Sequence, residues 1–142
     1  MTSTELENLV RMGQLKKELC TPEEFGGLVS SGAKRLADAE NDSLSMESRF
    51  DLAYNAAHAL ALAALRHAGY RSGNRYVVFQ ALAHSLGIEA ATWRVLAKAH
   101  EKRNFAEYEG VLDVDDRLLA DLLAAARSVL LAVRKLPALK NK

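Results

Sequence analysis

The segment from Ala56 to Leu65 is the most apolar stretch of the 142-residue chain, and it limits what the chain can fold into. It is about ten residues long and contains His58, so it is well short of the ~20 apolar residues that cross a bilayer. A run of this length is typical of a helix that other helices bury on most sides. We therefore expect a central core helix and no membrane-spanning segment.

The rest of the chain favours helices as well. Alanine and leucine make up about a third of the residues, whereas β-branched and aromatic residues are sparse. Helices are predicted over residues 4–19, 22–40, 45–69, 75–86, 89–109 and 114–136. Because the links between them are short, sequential helices should pack antiparallel. The predicted fold class is all-α, an up-and-down bundle of four core helices plus one or two additional short helices.

A single domain is expected to span residues 1–142, with an N-terminal helix in 1–20, the bundle in 21–137 and a tail in 138–142. The start of the bundle is well marked by Thr21 as a helix N-cap, Pro22 at the first helical position and Glu24 placed to bind the Thr21 amide. Gly69 suits the left-handed end of the third helix, and Asp113 is the predicted N-cap of the last one.

The charge balance excludes a strong whole-molecule attraction to nucleic acids or anionic membranes. Nineteen Lys and Arg residues against eighteen Asp and Glu give a net charge of +1, so RNA or DNA binding needs a local patch. The lone Cys20 cannot form an intramolecular disulfide and no signal peptide is visible, which favours a cytoplasmic location. Neither metal-ligand spacing of histidines nor a glycine-rich phosphate loop occurs, so no metal and no cofactor are expected.

Three polar residues interrupt the apolar third helix: Asp51, Asn55 and His58. Their spacing of four and three residues places them on one helix face. An unpaired buried polar group costs about 1–3 kcal/mol, so these side chains should have partners. The stripe is predicted to line a binding or catalytic cleft, and a structural hydrogen-bond network that fixes the bundle is the alternative.

The end of the fifth predicted helix offers the partners. Arg103 and Asn104 supply donors there, and Tyr108 follows Asn104 by one helical turn. An arginine beside Asp51 would satisfy the acid and present further N–H groups to a phosphate. If that pair is buried, Asp51→Ala should destabilise the fold by about 3 kcal/mol.

Three segments together resemble a HEPN domain, the higher eukaryotes and prokaryotes nucleotide-binding helical bundle. They are Arg-Phe-Asp-Leu-Ala-Tyr-Asn-Ala-Ala-His at 49–58, the Gly-Tyr-Arg turn at 69–71, and Lys-Arg-Asn-x-x-x-Tyr-x-Gly at 102–110. The resemblance covers about residues 44–136. It implies a helical bundle that forms homodimers, works with RNA in a toxin–antitoxin or defence-type module, and has a nucleotidyltransferase-type antitoxin as partner.

The resemblance also implies a ribonuclease site in which an arginine, often followed by asparagine, is separated from a histidine by four to six intervening residues. Arg103 and Asn104 match the start of this motif, but Tyr108 stands where the histidine is expected. A phenol with a pKa near 10 is a poor general base at neutral pH. We therefore expect a binding or regulatory protein with weakened or lost ribonuclease activity. The alternative is an active, metal-independent endoribonuclease that uses Arg103, with His58 rather than the solvent-facing His100 replacing the histidine.

Residues 79–96 offer a further alternative, because they are spaced like a helix-turn-helix around Gly87. In that hypothesis Arg94 and Lys98 would contact DNA. The second helix begins with Glu89 and two alanines, which supply no base-edge donors, so a plain helical hairpin is the simpler interpretation.

A basic segment follows the third helix and could guide a phosphate backbone toward the cleft. Its members are Arg66, His67, Arg71 and Arg75, with Lys102 nearby in the motif. Arg71, Arg75 and Lys102 are accordingly predicted to bind the ligand, together with Asp51 and Asn55. A solvated loop is the alternative.

Overall fold

Helices make up most of the protein, as the alanine and leucine content predicts. The computed structural model describes residues 4–110 and 112–139, so part of the predicted 138–142 tail lies outside the described residues. The helices are α1 (Thr4–Arg11), α2 (Pro22–Ala39), α3 (Met46–His67), α4 (Arg75–Gln80), α5 (Leu82–Ser85), α6 (Ala90–Glu109) and α7 (Asp116–Arg134). Two short strands, β1 (Lys16–Lys17) and β2 (Tyr70–Arg71), pair antiparallel.

Contacts between helix ends show that α2, α3, α6 and α7 alternate in direction. The start of α3 contacts the ends of α2 and α6, and the end of α3 contacts the start of α2 and the segment after α7. The contacts join Arg49 to Ala39, Asp51 to Arg103, Arg66 to Glu24, and His67 to Pro137. These four long helices form the core bundle, which confirms the predicted all-α, up-and-down fold.

Helix α3 is the centre of the bundle. Every residue from Ala59 to Arg66 except Leu62 is buried, which explains the apolar run in the sequence. Helix α2 lies close to α3 at Gly32, where a Cβ atom would be 2.6 Å from Leu60 Cγ. A glycine therefore allows the two helices to approach each other. No helix in residues 4–110 and 112–139 has the length and apolar character needed to cross a membrane.

Most of the predicted helix ends are confirmed. The Thr21 hydroxyl caps α2 by accepting from the Glu24 amide, and Gly69 has a left-handed φ of 94° after α3. The predicted bond from the Thr21 amide to the Glu24 side chain is not formed, because the Glu24 carboxylate accepts from Arg66 instead. The predicted cap of α7 was wrong by two residues, because Asp115 and not Asp113 accepts from the first turn of that helix.

The N-terminal segment differs from the prediction of one helix over residues 4–19. Helix α1 ends at Arg11, and Gly13 turns the chain with a left-handed φ of 78°. The turn places Leu15 in the core at 3% exposure, and β1 then pairs with β2. Local helix propensity is overridden here because burying Leu15 and forming the strand pair need a change of direction.

The predicted helix over 75–86 is likewise split at Ala81 into α4 and α5, so the described part of the chain has three short helices instead of one or two.

Candidate functional site

A polar cluster forms where α3, α4 and α6 meet. Its floor is Tyr54, whose ring is 1% exposed. The guanidinium carbons of Arg75 and Arg103 lie 5.6 Å and 5.1 Å from the centre of that ring. His100 and Asn104 complete the group, which we call the Tyr54 cluster: Tyr54, Arg75, His100, Arg103 and Asn104.

Each helix supplies its part of the cluster for a local reason. Tyr54 lies on the buried face of α3, and Arg75 is the first residue of α4, where the Asn74 side chain caps the helix. His100 and Asn104 are one turn apart on α6 and therefore share a face, with Arg103 beside them. Two arginines from separate helices thus converge on one aromatic ring, a favourable cation–π arrangement.

The two arginines of the cluster differ in their ion pairs. Arg103 Nε lies 3.2 Å from Asp51 Oδ1, and Arg103 also lies 3.7 Å from Glu107 one turn later. Arg75 donates to the Asn55 side-chain oxygen at 3.2 Å and has no ion-pair partner within the described residues. The guanidinium of Arg75 is therefore available to an anion from solvent.

His100 connects the aromatic floor to the amide of Asn104. In the observed orientation, Asn104 Nδ2 donates to His100 Nε2 at 3.2 Å, and His100 Nδ1 donates to the Tyr54 oxygen at 2.9 Å. Burial, aided by the charge of Arg75, lowers the pKa of His100. The imidazole is therefore neutral at pH 7 and can accept a proton.

His58 lies next to the cluster and does not join its hydrogen bonds. Its ring meets Phe79 edge-on at a centroid distance of 5.9 Å. Burial, followed by the charges of Arg75 and His100, lowers the pKa of His58 to about 4. The structure thus places His100, and not His58, in contact with the Arg103–Asn104 segment, contrary to the expectation that His100 faces solvent.

The side chains of Asp51 and Tyr108 are both more than half exposed. The predicted pair of Asp51 with Arg103 is present, but the carboxylate side chain is 53% exposed. The 3 kcal/mol expected for a buried pair is therefore too large, because exposed pairs contribute about 1 kcal/mol or less. Tyr108 is 88% exposed, so it does not lie in the cluster with Asn104.

The basic segment after α3 does not act as one patch. Arg66 is 1% exposed and donates to Glu24 and to the carbonyl oxygens of Glu18, Leu19 and Tyr70. Arg71 pairs with Glu18 and Glu24, while Lys102 pairs with Asp113 at 3.1 Å. Of the three predicted basic ligand residues, only Arg75 reaches the cluster.

The proposed DNA-contacting residues lie elsewhere. Arg94 and Lys98 are exposed on α6 and line a depression shared with Asp115 and Asp121 of the α7 start. Arg117 also lines this depression, so three basic and two acidic side chains lie together there. The helix that directly precedes Gly87 in the proposed motif is only Leu82–Ser85. This arrangement is a poor match to a helix-turn-helix reader.

Sequence reasoning identified Arg103, Asn104 and Asp51 but missed the floor of the site. In the sequence Tyr54 counts among the apolar positions of the third helix, although it is the ring on which both arginines lie. A signal was available, because a large polar aromatic in a buried helix usually has a partner for its hydroxyl. No local pattern could have shown that this partner is His100, which is 46 residues away.

Comparison of the chain with protein-family models, with curated proteins and with solved structures finds no match. The functional conclusion therefore depends on the residues and their geometry.

Proposed function

We propose that this protein is a HEPN-like RNA-associated protein that binds single-stranded RNA through the Tyr54 cluster, with weakened or lost ribonuclease activity. One observation carries the proposal: Arg75 and Arg103 converge on one ring, and Arg75 has no carboxylate partner among the described residues. Arginine guanidinium groups donate in a fork that fits phosphate oxygens. Asn104 adds a neutral donor beside them.

Exposed aromatic side chains favour a single strand over other anions. Tyr76 is 40% exposed and its ring centre lies 6.1 Å from that of His100. Phe105 and Tyr108 are exposed further along α6. Unpaired bases stack on such rings, whereas bases in a duplex already stack on each other.

The biological setting in the proposal depends on the resemblance alone. It comprises a toxin–antitoxin or defence-type module, a nucleotidyltransferase-type antitoxin partner and a homodimer. Sedimentation equilibrium of the purified chain tests the dimer, with a mass of twice 15.6 kDa expected. A mass of 15.6 kDa at micromolar concentration would remove the homodimer from the proposal.

Fluorescence anisotropy with a labelled single-stranded RNA tests the binding function. We expect Arg75→Ala and Arg103→Ala each to weaken binding by about 1–3 kcal/mol, that is by roughly fivefold or more. Arg94→Ala is the matched control, because it removes the same charge from α6 outside the cluster. Equal losses in all three variants would show that binding is not localised to the cluster. A loss only in Arg94→Ala would show that RNA binds instead at the surface of α6 that carries Arg94 and Lys98.

The second candidate function is RNA cleavage, which the position of His100 favours. If RNA displaces Asn104 from His100 Nε2, the neutral imidazole beside Arg103 can take the proton of a ribose 2′-hydroxyl while Arg103 holds the phosphate. Incubation of RNA with the protein in chelator tests this activity. Cleavage that both His100→Ala and Arg103→Ala abolish would establish a metal-independent ribonuclease, and intact RNA in the presence of demonstrated binding would establish a binding protein.

A further inference from the structure

A cleft of about 550 Å³ opens on the side of Arg103 that faces the end of the bundle. It lies between the start of α3, the last turns of α6 and the link to α7. We call it the end cleft, and its lining includes Glu47, Ser48, Phe50, Asp51, Arg103 and Leu112. Its volume is within the ~300–1,000 Å³ range of small-molecule sites. Arg103 and Asp51 thus belong both to this cleft and to the edge of the Tyr54 cluster.

The polar groups of the end cleft are two carboxylates, Glu47 and Asp51, beside the donor groups of Arg103, Ser45 and Ser48. Asp51 is engaged by Arg103, whereas Glu47 forms no ion pair within the part of the chain that the structure describes. An ionised carboxylate can only accept hydrogen bonds. The apolar surface open to a ligand comes from Ala106 and Leu112, which are partly exposed, because Phe50 is fully buried. A flat ligand with two adjacent N–H donors would match this combination.

We propose that the end cleft binds a guanine base of the RNA strand whose phosphate lies on the Tyr54 cluster. This inference depends on the proposed RNA binding. Guanine presents its N1–H and N2 amino groups side by side, so both can donate to the two carboxylate oxygens of Glu47. Ser48 can donate to the O6 oxygen. Uracil presents one N–H donor between two carbonyl oxygens, so it offers the carboxylate one hydrogen bond instead of two and sets a repelling oxygen against its second oxygen.

The base preference can be measured with short single-stranded RNAs that differ at one position. The probes are a labelled oligouridine, the same strand with one central guanosine, and the same strand with inosine, which lacks the N2 amino group. We expect the guanosine strand to bind at least about fivefold more tightly than oligouridine, with the gain reduced for inosine. Glu47→Gln should abolish the preference without weakening the binding of oligouridine.

Glu23→Gln is the matched control. Like Glu47, Glu23 is an exposed acid in the first turn of a helix, but it belongs to α2 and lies outside the end cleft. It should retain the guanosine preference. Equal binding of guanosine and uridine strands by the wild-type protein would overturn the guanine site and leave RNA binding intact. A preference that persists in Glu47→Gln would overturn the role of Glu47. No binding of any strand would overturn both the proposed function and this inference.

Discussion

Arg66 shows how a single residue can hold separate segments of the bundle together. Among the described residues it is the one charged side chain that is buried, at 1% exposure. Its guanidinium binds the Glu24 carboxylate at 2.7 Å and the carbonyl oxygens of Glu18 and Leu19 at 2.7 and 2.8 Å. The segment between β1 and α2 is thereby fixed to the end of α3. In the sequence the residue looks like a ligand-binding arginine, and only its burial reveals the structural role.

Replacing Arg66 with Met should lower the free energy of unfolding by about 3 kcal/mol. The change leaves the carbonyl oxygens without donors and removes the partner of Glu24. Urea unfolding followed by circular dichroism measures the difference. Arg127→Ala is the control, because it breaks an ion pair with Glu40 whose side chains are 48% and 43% exposed, and it should cost about 1 kcal/mol or less. Similar small losses in both variants would contradict the structural role of Arg66.

His58 should make the stability of the protein depend on pH. Burial lowers its pKa in the folded state to about 4, from an ordinary value of 6.5. Between these pH values the unfolded state binds more protons than the folded state, so the free energy of unfolding falls as the pH drops from 6.5 toward 4. His58→Phe should remove this part of the slope, because phenylalanine cannot be protonated.

Urea unfolding at pH 7.5, 6, 5 and 4.5 compares the two proteins. As the pH is lowered over that range, the free energy of unfolding of the wild-type protein minus that of His58→Phe should decrease steadily. Carboxylates with lowered pKa values, such as Glu18 and Glu24, also lose stabilising charge in acid, but they do so in both proteins. Parallel pH profiles for the two proteins would show that His58 is accessible to protons in the folded state.

At the scale of elements, the long amphipathic helices were predictable and the short segments were not. The core helix over residues 45–69 was predicted within about two residues of α3, because its apolar run and its end signals agree. The segment after α1 was predicted as helix, yet the chain turns at Gly13 and forms β1. Its partner strand is more than fifty residues away, so no local pattern indicates the pairing.

The contact between α2 and α3 at Gly32 gives an element-scale prediction. A Cβ atom there would lie 2.6 Å from Leu60 Cγ and 3.3 Å from the Ala56 carbonyl oxygen. Gly32→Ala should therefore destabilise the protein by about 1–3 kcal/mol, since overpacking outweighs the better helix propensity of alanine.

Gly26→Ala is the control for this substitution. Gly26 lies in the same helix, but no neighbouring group lies within 4 Å of a Cβ atom added there. It should stabilise the protein by about 0.5–1 kcal/mol through helix propensity. Thermal unfolding of the two variants gives opposite changes in midpoint if this account is right. Stabilisation by both substitutions would show that the two helices can separate at little cost.

At the scale of the whole molecule, the candidate site was only partly predictable. Helical spacing places Arg103 and Asn104 close together, and the charge of Asp51 indicated its pairing with Arg103. Arg75 and His100 join the cluster because α4 and α6 pack against α3 around Tyr54, and that packing is a property of the assembled bundle. For the same reason, the net charge of +1 does not indicate that two arginines converge on Tyr54.

The salt dependence of RNA binding tests the central claim most directly. For single strands, each phosphate contact contributes about −0.7 to the slope of log K against log salt concentration. The Tyr54 cluster account predicts that Arg75→Ala makes the wild-type slope shallower by about 0.7, while Arg94→Ala leaves it unchanged. A slope that Arg75→Ala does not alter, or RNA binding that is absent from the wild-type protein, would contradict the account.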